Sequence, residues 1–259
     1  MTVGEAIELL EEAQSRGEVD GESISGAVDV LVAETAETYT RESDSYAAVR
    51  NDAPTEWDEV MNRQLLSTVR ERISAGKLQA TKDKKWRLLD VGAGHGRDFL
   101  HFAEEPDIEP VALDNSQGFV ELLLKAAEEN ELPPASVVVA DMRDLSLFDD
   151  GVFQCVRNHA TLHHLPVVAK GVGADDAVEE TRRVMVEGGV FYVLVKAGDG
   201  VQMIDTGEGL GGRFFQLFTE DLLVDLLTRH AFSINHITER IEPRPSGEVR
   251  WLFCMAVAS

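Results

Sequence analysis

A glycine-rich turn after an apolar run is the first candidate for chemistry in the sequence. The segment RLLDVGAGHGRDFL reads as a strand ending in an acid, a turn, and the start of a helix. Gly92 and Gly94 can adopt positive φ and let the backbone pass close to a ligand. Backbone N–H groups near Gly96, where the helix would begin, would face a negative group of that ligand. Asp90 can bond a ligand amine or the loop itself. The turn therefore predicts a binding site for a small polar molecule.

Two more acids end the next two apolar runs. Asp114 stands within VALDNS and Asp141 within VVVADMRDL. An acid at the position of Asp114 can accept both hydroxyls of a ribose, although either acid alone can also cap a helix or turn. Three acidic strand ends in succession favour a ligand site. A dinucleotide fingerprint needs glycine at the position of Arg97, so a dehydrogenase is a distant alternative.

Short apolar runs alternate with helical patterns after residue 80, which predicts a parallel sheet covered on both faces. In such a fold the first strand-to-helix turn lies at the switch point where ligands bind. The last two runs are joined by the turn-rich IEPRPSGE, without a helix. The expected fold is an α/β, Rossmann-like, doubly wound and mostly parallel seven-stranded sheet with a C-terminal antiparallel hairpin. The strand candidates are 87–91, 110–114, 136–140, 152–158, 190–195, 232–240 and 249–258.

The first 80 residues differ from the rest. They contain helix-like segments at 3–16, 25–38 and 56–73, followed by the polar run AGKLQATKDKK. The length of 259 residues exceeds one ordinary domain but falls short of two. We therefore expect a helical N-terminal appendage or lid at 1–80 and a ligand-binding domain at 81–259.

Charge and composition restrict the partners. The formal net charge is −23, and the first 60 residues hold 16 acids against three arginines. Such a surface repels phosphate backbones, which makes nucleic acid an unlikely partner. A salt-rich cytoplasm is the alternative explanation of the acidity, because salt screens these charges. No apolar run approaches the roughly 20 residues that cross a bilayer, and the acidic N-terminus is unlike a targeting peptide. We expect a soluble, cytoplasmic protein with no membrane partner.

Residues 85–258 resemble the class I S-adenosylmethionine-dependent methyltransferases. The resemblance rests on LLDVGAGHG, the two acidic strand ends that follow, the segment FQCVRNHATLHHLP and the two-glycine turn VEGGVFYVLV. It implies S-adenosyl-L-methionine as cofactor and S-adenosyl-L-homocysteine as product. One departure is that the fourth strand lacks the acid usual near Val152 or Phe153. The cofactor-binding residues that it implies are Asp90, Gly92, Ala93 and Gly94 for the methionine part, Asp114, Asn115 and Ser116 for ribose and adenosine, and Asp141 and Met142 for adenine, with Asn158 just after the fourth strand.

Methyl transfer needs an aligned acceptor, and a general base helps when the acceptor carries a proton. His159 follows the fourth strand at the carboxyl edge, and we expect it to be the catalytic residue, because histidine titrates in the useful range. His163 and His164 are expected to support the next loop, with His163 also a candidate for substrate contact. A catalytic zinc usually needs three ligands in a fixed array, which adjacent histidines rarely provide. We therefore expect no metal.

Aromatic and loop residues are candidates for the acceptor pocket. Tyr39, Tyr46 and Trp57 stand in an otherwise polar N-terminal stretch; they line the pocket in one interpretation and anchor the appendage in the other. The glycine-rich segment 196–212 reads as a second lid, since long loops are often functional. Arg213 and Phe214 at its end are expected to touch the acceptor.

The leading functional hypothesis is methylation of a small molecule at oxygen or nitrogen. Transfer RNA is an alternative acceptor, because the fourth-strand segment also resembles that of some wobble-uridine methyltransferases. A cofactor-binding module without catalysis is another. The acidic strand ends predict cofactor binding in every case, and the sequence leaves the oligomeric state open.

Overall fold

The computed structural model describes residues 1–16, 20–50, 55–133, 136–168, 170–205, 212–244 and 247–259. Its strands are β1 (Trp86–Val91), β2 (Ile108–Asp114), β3 (Val137–Val139), β4 (Phe153–His159), β5 (Met185–Lys196), β6 (Val201–Asp205), β7 (Gly212–Gln216), β8 (Phe232–Arg244) and β9 (Gly247–Ala258). Its helices are α1 (Val3–Arg16), α2 (Gly21–Arg50), α3 (Glu56–Ser74), α4 (Arg97–Ala103), α5 (Gln117–Glu129), α6 (Ala174–Val184) and α7 (Glu220–Arg229), with a 3-10 turn at Leu162–His164.

The main sheet has seven strands in the order β3-β2-β1-β4-β5-β9-β8. The pairs β1–β2, β1–β4, β2–β3 and β4–β5 are parallel, whereas β9 runs antiparallel to both β5 and β8. The strand order reverses between β1 and β4, so the switch point lies at their carboxyl ends. The predicted doubly wound sheet with a C-terminal hairpin is confirmed.

The central strands are apolar on both faces because helices cover both faces. In β5, Phe191 and Val193 belong to one core, while Val190 and Tyr192 belong to the other. Helix α3 packs into the second core, together with Trp86 of β1. Buried residues of α1, α2, α6 and α7 complete the first core. Both faces are therefore sealed, and ligand access is left to the carboxyl edge.

Helix α2 is longer than the sequence pattern indicates, and it packs against α5 and β7. The close approach to α5 depends on Gly118, where a Cβ would lie 2.6 Å from the carbonyl oxygen of Thr40. Tyr39 and Tyr46 therefore lie on a helix rather than in an irregular stretch.

Part of the segment 196–212, expected to be a lid loop, is strand β6, which pairs with β7 in a second, two-stranded sheet. The Oγ1 of Thr38 on α2 donates to the carbonyl of Gly212 at 2.9 Å, and the amide of Phe214 donates to the Oγ1 of Thr35 at 3.2 Å. Helix α2 therefore fastens to β7. Residues 206–211 of the expected loop lie outside the described residues. In the part of the chain that the structure describes, no helix combines the length and apolarity needed to cross a membrane.

Candidate active site

A cavity of about 810 Å³ opens at the carboxyl ends of β1, β2 and β4. This volume is within the range of small-molecule and cofactor sites. Its wall has two ends, which lie on opposite sides of the switch point. The glycine-turn end comprises residues 91–95, 113–115 and 140–142. The strand-five end comprises His163, Lys196, Arg213, Phe215, Arg240, Glu242, Val249 and Trp251.

The glycine turn is held by the strand beside it. The amides of Gly92 and Ala93 donate to the carbonyl of Leu113 at 2.7 and 3.0 Å, and Gly94 N–H donates to Asp114 Oδ2 at 2.9 Å. Gly92 and Gly94 have φ of +69° and +58°. A Cβ on Gly92 would collide with the Thr161 side chain, whereas one on Gly94 would meet no atom within 4 Å. The turn therefore leaves open space at Gly94, in the cavity wall.

Asp114 lies in the wall with both carboxylate oxygens engaged. Its Oδ1 accepts the amide of Ser116 at 2.9 Å, and burial raises its pKa to about 6. Each oxygen keeps a second acceptor position, so the carboxylate can still receive two hydroxyl donors. Ser116 lies behind the wall, where its Oγ caps α5 by accepting from Phe119 N–H at 3.4 Å. Asn115 is in the wall.

Asp141 and Met142 also lie in the wall, and both are supported from behind. Arg143 donates to Asp141 Oδ2 from Nε at 3.0 Å and from one terminal nitrogen at 2.7 Å. The other terminal nitrogen of Arg143 donates to Asp29 on α2 at 2.8 Å. Asn158, which is outside the wall, contacts Met142 Sδ through Nδ2 at 3.7 Å and accepts from Leu162 N–H at 2.7 Å. Asn158 therefore supports the site indirectly.

Asp90 lies beneath the turn and outside the cavity wall. Its Oδ1 accepts from Arg157 at 2.8 Å, and the other terminal nitrogen of Arg157 lies 3.0 Å from Asp98 Oδ2. Burial raises the pKa of Asp90. Burial also acts to raise the pKa of Asp98, but Arg157, His159 and Arg97 outweigh it and hold that pKa well below its usual range. The carboxylate of Asp90 is therefore committed to a protein partner.

Asp58 connects this ion pair to the start of α3. Its Oδ2 accepts from the amide and hydroxyl of Thr55 at 3.0 and 2.8 Å, and Thr55 Oγ1 accepts the Asp58 amide in a capping box. One terminal nitrogen of Arg97 lies 2.8 Å from Asp98 and 3.3 Å from Asp58. We call Asp58, Asp90, Arg97, Asp98 and Arg157 the buried charge network.

His159 lies in the wall next to this network. Its Nδ1 is 2.8 Å from the hydroxyl of Tyr192, and its Nε2 is 3.5 Å from Asp58 Oδ1. Burial and the nearby Arg157 lower its pKa to about 3. The ring is therefore neutral at neutral pH, with Nε2–H facing Asp58 and Nδ1 accepting from Tyr192. A ring with so low a pKa is a weak base, so this geometry favours positioning over proton abstraction.

His164, Tyr39 and Arg213 form a hydrogen-bonded chain along the cavity. His164 Nδ1 lies 2.7 Å from the carbonyl of Phe214, so Nδ1 carries the proton. Nε2 of His164 therefore accepts from the Tyr39 hydroxyl at 3.0 Å, and Arg213 donates to the same hydroxyl at 3.3 Å. Burial lowers the pKa of His164 to about 3, which agrees with this tautomer. Phe214 contributes its carbonyl, while its side chain is fully buried outside the wall.

The remaining expected contact residues lie at both ends. Tyr46 packs edge-on against Tyr39 and lies in the wall. Nδ1 of His163 accepts the amide of Lys196 at 3.1 Å, and its ring packs against Trp251. Burial and the nearby His164 place the pKa of His163 well below its usual range, so it is neutral. Within the described ranges, no three histidine, cysteine or acidic side chains are grouped to hold a metal ion.

Several wall residues were not anticipated from the sequence as site residues. Arg157 carried a signal, because a charged residue inside the apolar run VFQCVRN needs a buried partner. Lys196, Arg240 and Trp251 lie on β5, β8 and β9, and only the pairing of β9 with β5 and β8 brings them together. No local pattern indicates that convergence.

The glycine-turn end fits an adenosyl cofactor. Open space at Gly94 admits a ligand against the turn, Asp114 can accept two hydroxyl donors, and Met142 offers an apolar surface beside an acid. Asp141 retains acceptor capacity beside Arg143 for an amine donor. These are the groups that a ribose, an adenine and an amino acid require.

Comparison with known proteins supports this interpretation. Residues 88–189 match the family model described as a methyltransferase domain. No curated protein sequence matches the chain. A solved S-adenosylmethionine-dependent methyltransferase from Methanosarcina mazei is similar, with a TM-score of 0.58 and 20% identity over 72% of this chain and 96% of that chain.

Two further solved structures show the range of this fold. A 1,6-didemethyltoxoflavin-N1-methyltransferase from Burkholderia thailandensis, with 1,6-didemethyltoxoflavin and S-adenosylhomocysteine bound, has a TM-score of 0.50 and 20% identity, over 79% of this chain and 89% of that one. The [4+2]-cyclase SpnF has a TM-score of 0.57 and 17% identity, over 86% of this chain and 94% of that one. The family match thus indicates a methyltransferase domain at residues 88–189, and the solved structures show that the chain has the fold of S-adenosylmethionine-dependent methyltransferases.

Proposed function

We propose that the chain transfers the methyl group of S-adenosylmethionine to an oxygen or nitrogen atom of a small molecule bound in the same cavity. The observation that carries this proposal is the single cavity of about 810 Å³, which runs from the glycine turn to Trp251. The cofactor-fitting groups occupy the glycine-turn end, and the strand-five end is left for an acceptor. The two ends lie on opposite sides of the switch point, within this one cavity.

The cofactor, when bound, supplies an electrophilic methyl group: the acceptor's lone pair forms the new bond, and the electron pair of the broken carbon–sulfur bond stays on sulfur. Any acceptor proton leaves to water or a protein base. The protein's part is alignment, which can supply on the order of 7 to 11 kcal/mol in such displacements. Asp114 and the open face of Gly94 hold the nucleoside and amino-acid parts, and Asp141 with Met142 holds the base.

The proposed role of His159 is contact with the acceptor. Its Nε2 lies 3.5 Å from Asp58, a contact long enough to exchange for a ligand. The Nε2–H group then donates to an oxygen of the acceptor. His163, Tyr39, Tyr46 and Arg213 shape the wall around that position.

Cofactor binding is tested first by calorimetric titration. Wild type is titrated with S-adenosylmethionine, S-adenosylhomocysteine and NADH at low and molar salt, beside Asp114→Ala and the exposed control Asp149→Ala. Binding of both adenosyl compounds but not NADH, weakened only in Asp114→Ala, supports the proposal. Folded protein that binds neither adenosyl compound at any salt contradicts it.

Transfer is tested by the release of S-adenosylhomocysteine. The protein is incubated with S-adenosylmethionine and either a panel of hydroxyl and amine small molecules or bulk transfer RNA. Turnover with a member of the panel supports the proposal. Turnover with transfer RNA alone favours the nucleic-acid alternative, and tight cofactor binding without turnover favours a non-catalytic module.

A further inference from the structure

A buried hydroxyl lies directly behind the wall residue His159. Tyr192 is on β5, its side chain is fully buried, and it lies outside the cavity wall. Its hydroxyl is 2.8 Å from Nδ1 of His159, which is its hydrogen-bond partner among the residues that the structure describes. Buried tyrosine hydroxyls are usually paired in this way. The ring of His159 is therefore attached from behind to the strand next to its own.

The register of the sheet produces this contact. Tyr192 is opposite Arg157 in the parallel pair of β4 and β5, and His159 follows two residues later on β4. Residues two apart in a strand point to the same face, so Tyr192 and His159 share one face of the sheet. The ring of Tyr192 is held there by the ring of Phe253, with centroids 5.1 Å apart, and by the guanidinium of Arg157, 5.3 Å from its centroid. Packing thus fixes the position of the hydroxyl.

The contacts of the two ring nitrogens favour one tautomer of His159. Nε2 faces Oδ1 of Asp58 at 3.5 Å, and a carboxylate can only accept a hydrogen bond. With the proton on Nε2, Nδ1 accepts from the Tyr192 hydroxyl. With the proton on Nδ1, a lone pair would face the carboxylate and the hydroxyl proton of Tyr192 would lack an acceptor, which costs free energy in a buried site. Burial raises the pKa of Tyr192, so its hydroxyl keeps the proton that it donates.

The same hydroxyl also fixes the rotation of the imidazole ring. A half-turn about the Cβ–Cγ bond would place Cδ2 of His159 beside the Tyr192 hydroxyl and Cε1 towards Asp58, and neither carbon could replace the nitrogen. The contact of Nε2 with Asp58, at 3.5 Å, is too long to hold the ring strongly. The contact of Nδ1 with Tyr192, at 2.8 Å, is a short hydrogen bond. Tyr192 is therefore the stronger of these two anchors.

We infer that Tyr192 is a positioning residue for methyl transfer, which acts through His159 and holds its Nε2–H group towards the acceptor. This inference rests on the proposed function, because contact between His159 and the acceptor is part of that proposal. An acceptor oxygen that replaces Asp58 at Nε2 then meets a donor whose direction is already set. Such fixed donors contribute to the alignment on which methyl transfer depends.

Nitrogen NMR at neutral pH tests this anchor without any acceptor. Imidazole spectra are recorded on free protein and on protein saturated with S-adenosylhomocysteine, and the His159 signals are identified by their loss in His159→Ala. In Tyr192→Phe the Nδ1 signal of His159 should shift downfield, towards that of an unbonded nitrogen, while the other histidines keep their signals. Thr228→Val is the control, because it removes an exposed hydroxyl on α7, outside the wall, and should shift no imidazole signal.

A wild-type measurement supplements this variant. The hydroxyl proton of Tyr192 should exchange slowly with water and show a nuclear Overhauser effect to the ring of His159. This signal decides the same question if Tyr192→Phe does not fold, and a hydroxyl proton without that effect overturns the inference.

Kinetics then test the role in transfer, with the panel member that is methylated fastest. In Tyr192→Phe, kcat should fall about tenfold, the contribution of one hydrogen bond, with KM for S-adenosylmethionine changed by less than about twofold. In a His159→Ala background the same substitution should change kcat by less than about twofold, because the ring through which Tyr192 acts is gone. Thr228→Val should leave kcat unchanged.

The outcomes separate two failures. An unshifted Nδ1 signal in folded Tyr192→Phe, or a wild-type proton on Nδ1, overturns the inference. An equal loss of kcat in both backgrounds also overturns it, because Tyr192 would then act on the fold and not through His159. If S-adenosylhomocysteine does not bind, or no acceptor is methylated, the proposed function fails. The nitrogen spectra of the free protein still decide whether Tyr192 holds His159.

Discussion

Arg157 and Asp90 form an ion pair directly beneath the glycine turn, with 2.8 Å between guanidinium nitrogen and carboxylate oxygen and side chains 2% and 1% exposed. Arg157 comes from β4 and Asp90 from β1, the two strands that flank the switch point. The pair thus joins the strand that carries the turn to the strand that ends in His159. Removing Arg157 would leave the buried carboxylate of Asp90 without its cation, whereas Arg157 also contacts Asp98.

We expect Arg157→Met to destabilise the protein strongly. Loss of one partner from a buried ion pair costs about 3 to 5 kcal/mol, and Arg157 also neutralises Asp98. Urea unfolding with linear extrapolation measures the free energy of unfolding. Arg63→Met, at an exposed pair with Glu59, is the control and should change it by less than about 1 kcal/mol. A loss below about 1 kcal/mol in Arg157→Met would contradict this prediction.

Two glycine substitutions should separate folding from binding. Gly92→Ala combines positive φ with a Cβ 2.2 Å from Thr161 Oγ1, and we expect it to cost about 3 kcal/mol or more. Gly94→Ala has the φ penalty alone, about 1 to 2 kcal/mol. It nevertheless places a methyl group in the cavity wall, so affinity for S-adenosylhomocysteine should fall at least tenfold.

Thermal unfolding and calorimetry check this glycine pair. Adding Thr161→Gly to Gly92→Ala should restore part of the lost stability, since it removes the three atoms with which the Cβ collides. Equal loss of stability in the two single variants would show that the Thr161 contact is not the cause.

As pH rises, ionisation of Asp114 should lower the stability of the fold but raise its affinity for the cofactor. The pKa of its carboxyl rises from 3.8 to about 6 on folding. The protonated carboxyl therefore contributes fully to the free energy of unfolding below pH 3.8, and this contribution is lost as pH rises through 6. The loss amounts to about 3 kcal/mol. Hydroxyl donors favour the carboxylate, so affinity for S-adenosylhomocysteine should instead increase between pH 5 and 7.

The Asp114 trend is measured as a difference between proteins. Urea unfolding of wild type and Asp114→Asn from pH 4 to 8 isolates this carboxyl from the other titrating groups. The stability of wild type relative to Asp114→Asn should decline up to about pH 7 and then level off. A constant difference across the range would mean that burial does not raise the pKa of Asp114.

His159 should remain neutral between pH 5 and 8, because burial and Arg157 lower its pKa to about 3. Nitrogen NMR of the imidazole should show a proton on Nε2 and none on Nδ1. His159→Gln keeps a donor at this position, so kcat should fall by less than about 100-fold, the lower range for loss of a general base. Titration of the ring near pH 6.5 would restore the general-base hypothesis.

Much of the fold could be predicted because its determinants are local. Val190 to Val195 and the six other apolar runs have strand composition, and the glycine turn marks the first crossover. The extension of α2 beyond Thr38 could not be predicted from the sequence. Tyr39 and Tyr46 are separated by polar residues, which a helix tolerates on its outer face. Likewise, β6 and β7 depend on pairing with each other and on the anchoring of β7 to α2.

The site was predictable where its residues stand at the carboxyl ends of parallel strands, and unpredictable where it depends on tertiary partners. Gly94, Asp114, Asp141 and Met142 follow consecutive strands, so their convergence at one edge follows from the parallel order alone. The position of Asp90 outside the wall depends on its partner Arg157, 67 residues away in the chain. Burial of that pair is a tertiary property.

The capping box of α3 has a kinetic consequence. Thr55 and Asp58 close the first turn of this helix and also form part of the cavity wall, and Asp58 lies 3.3 Å from Arg97 in the buried charge network. When that turn frays, Thr55 and Asp58 leave the cavity wall, and the buried charge network loses the carboxylate of Asp58. Fraying of helix ends is far faster than domain motion, with helix–coil relaxation near 0.1 to 1 μs. Amide hydrogen exchange at Asp58 and Glu59 thus reports the fraction of molecules in which this turn is open, and a bound ligand that closes the wall should slow it.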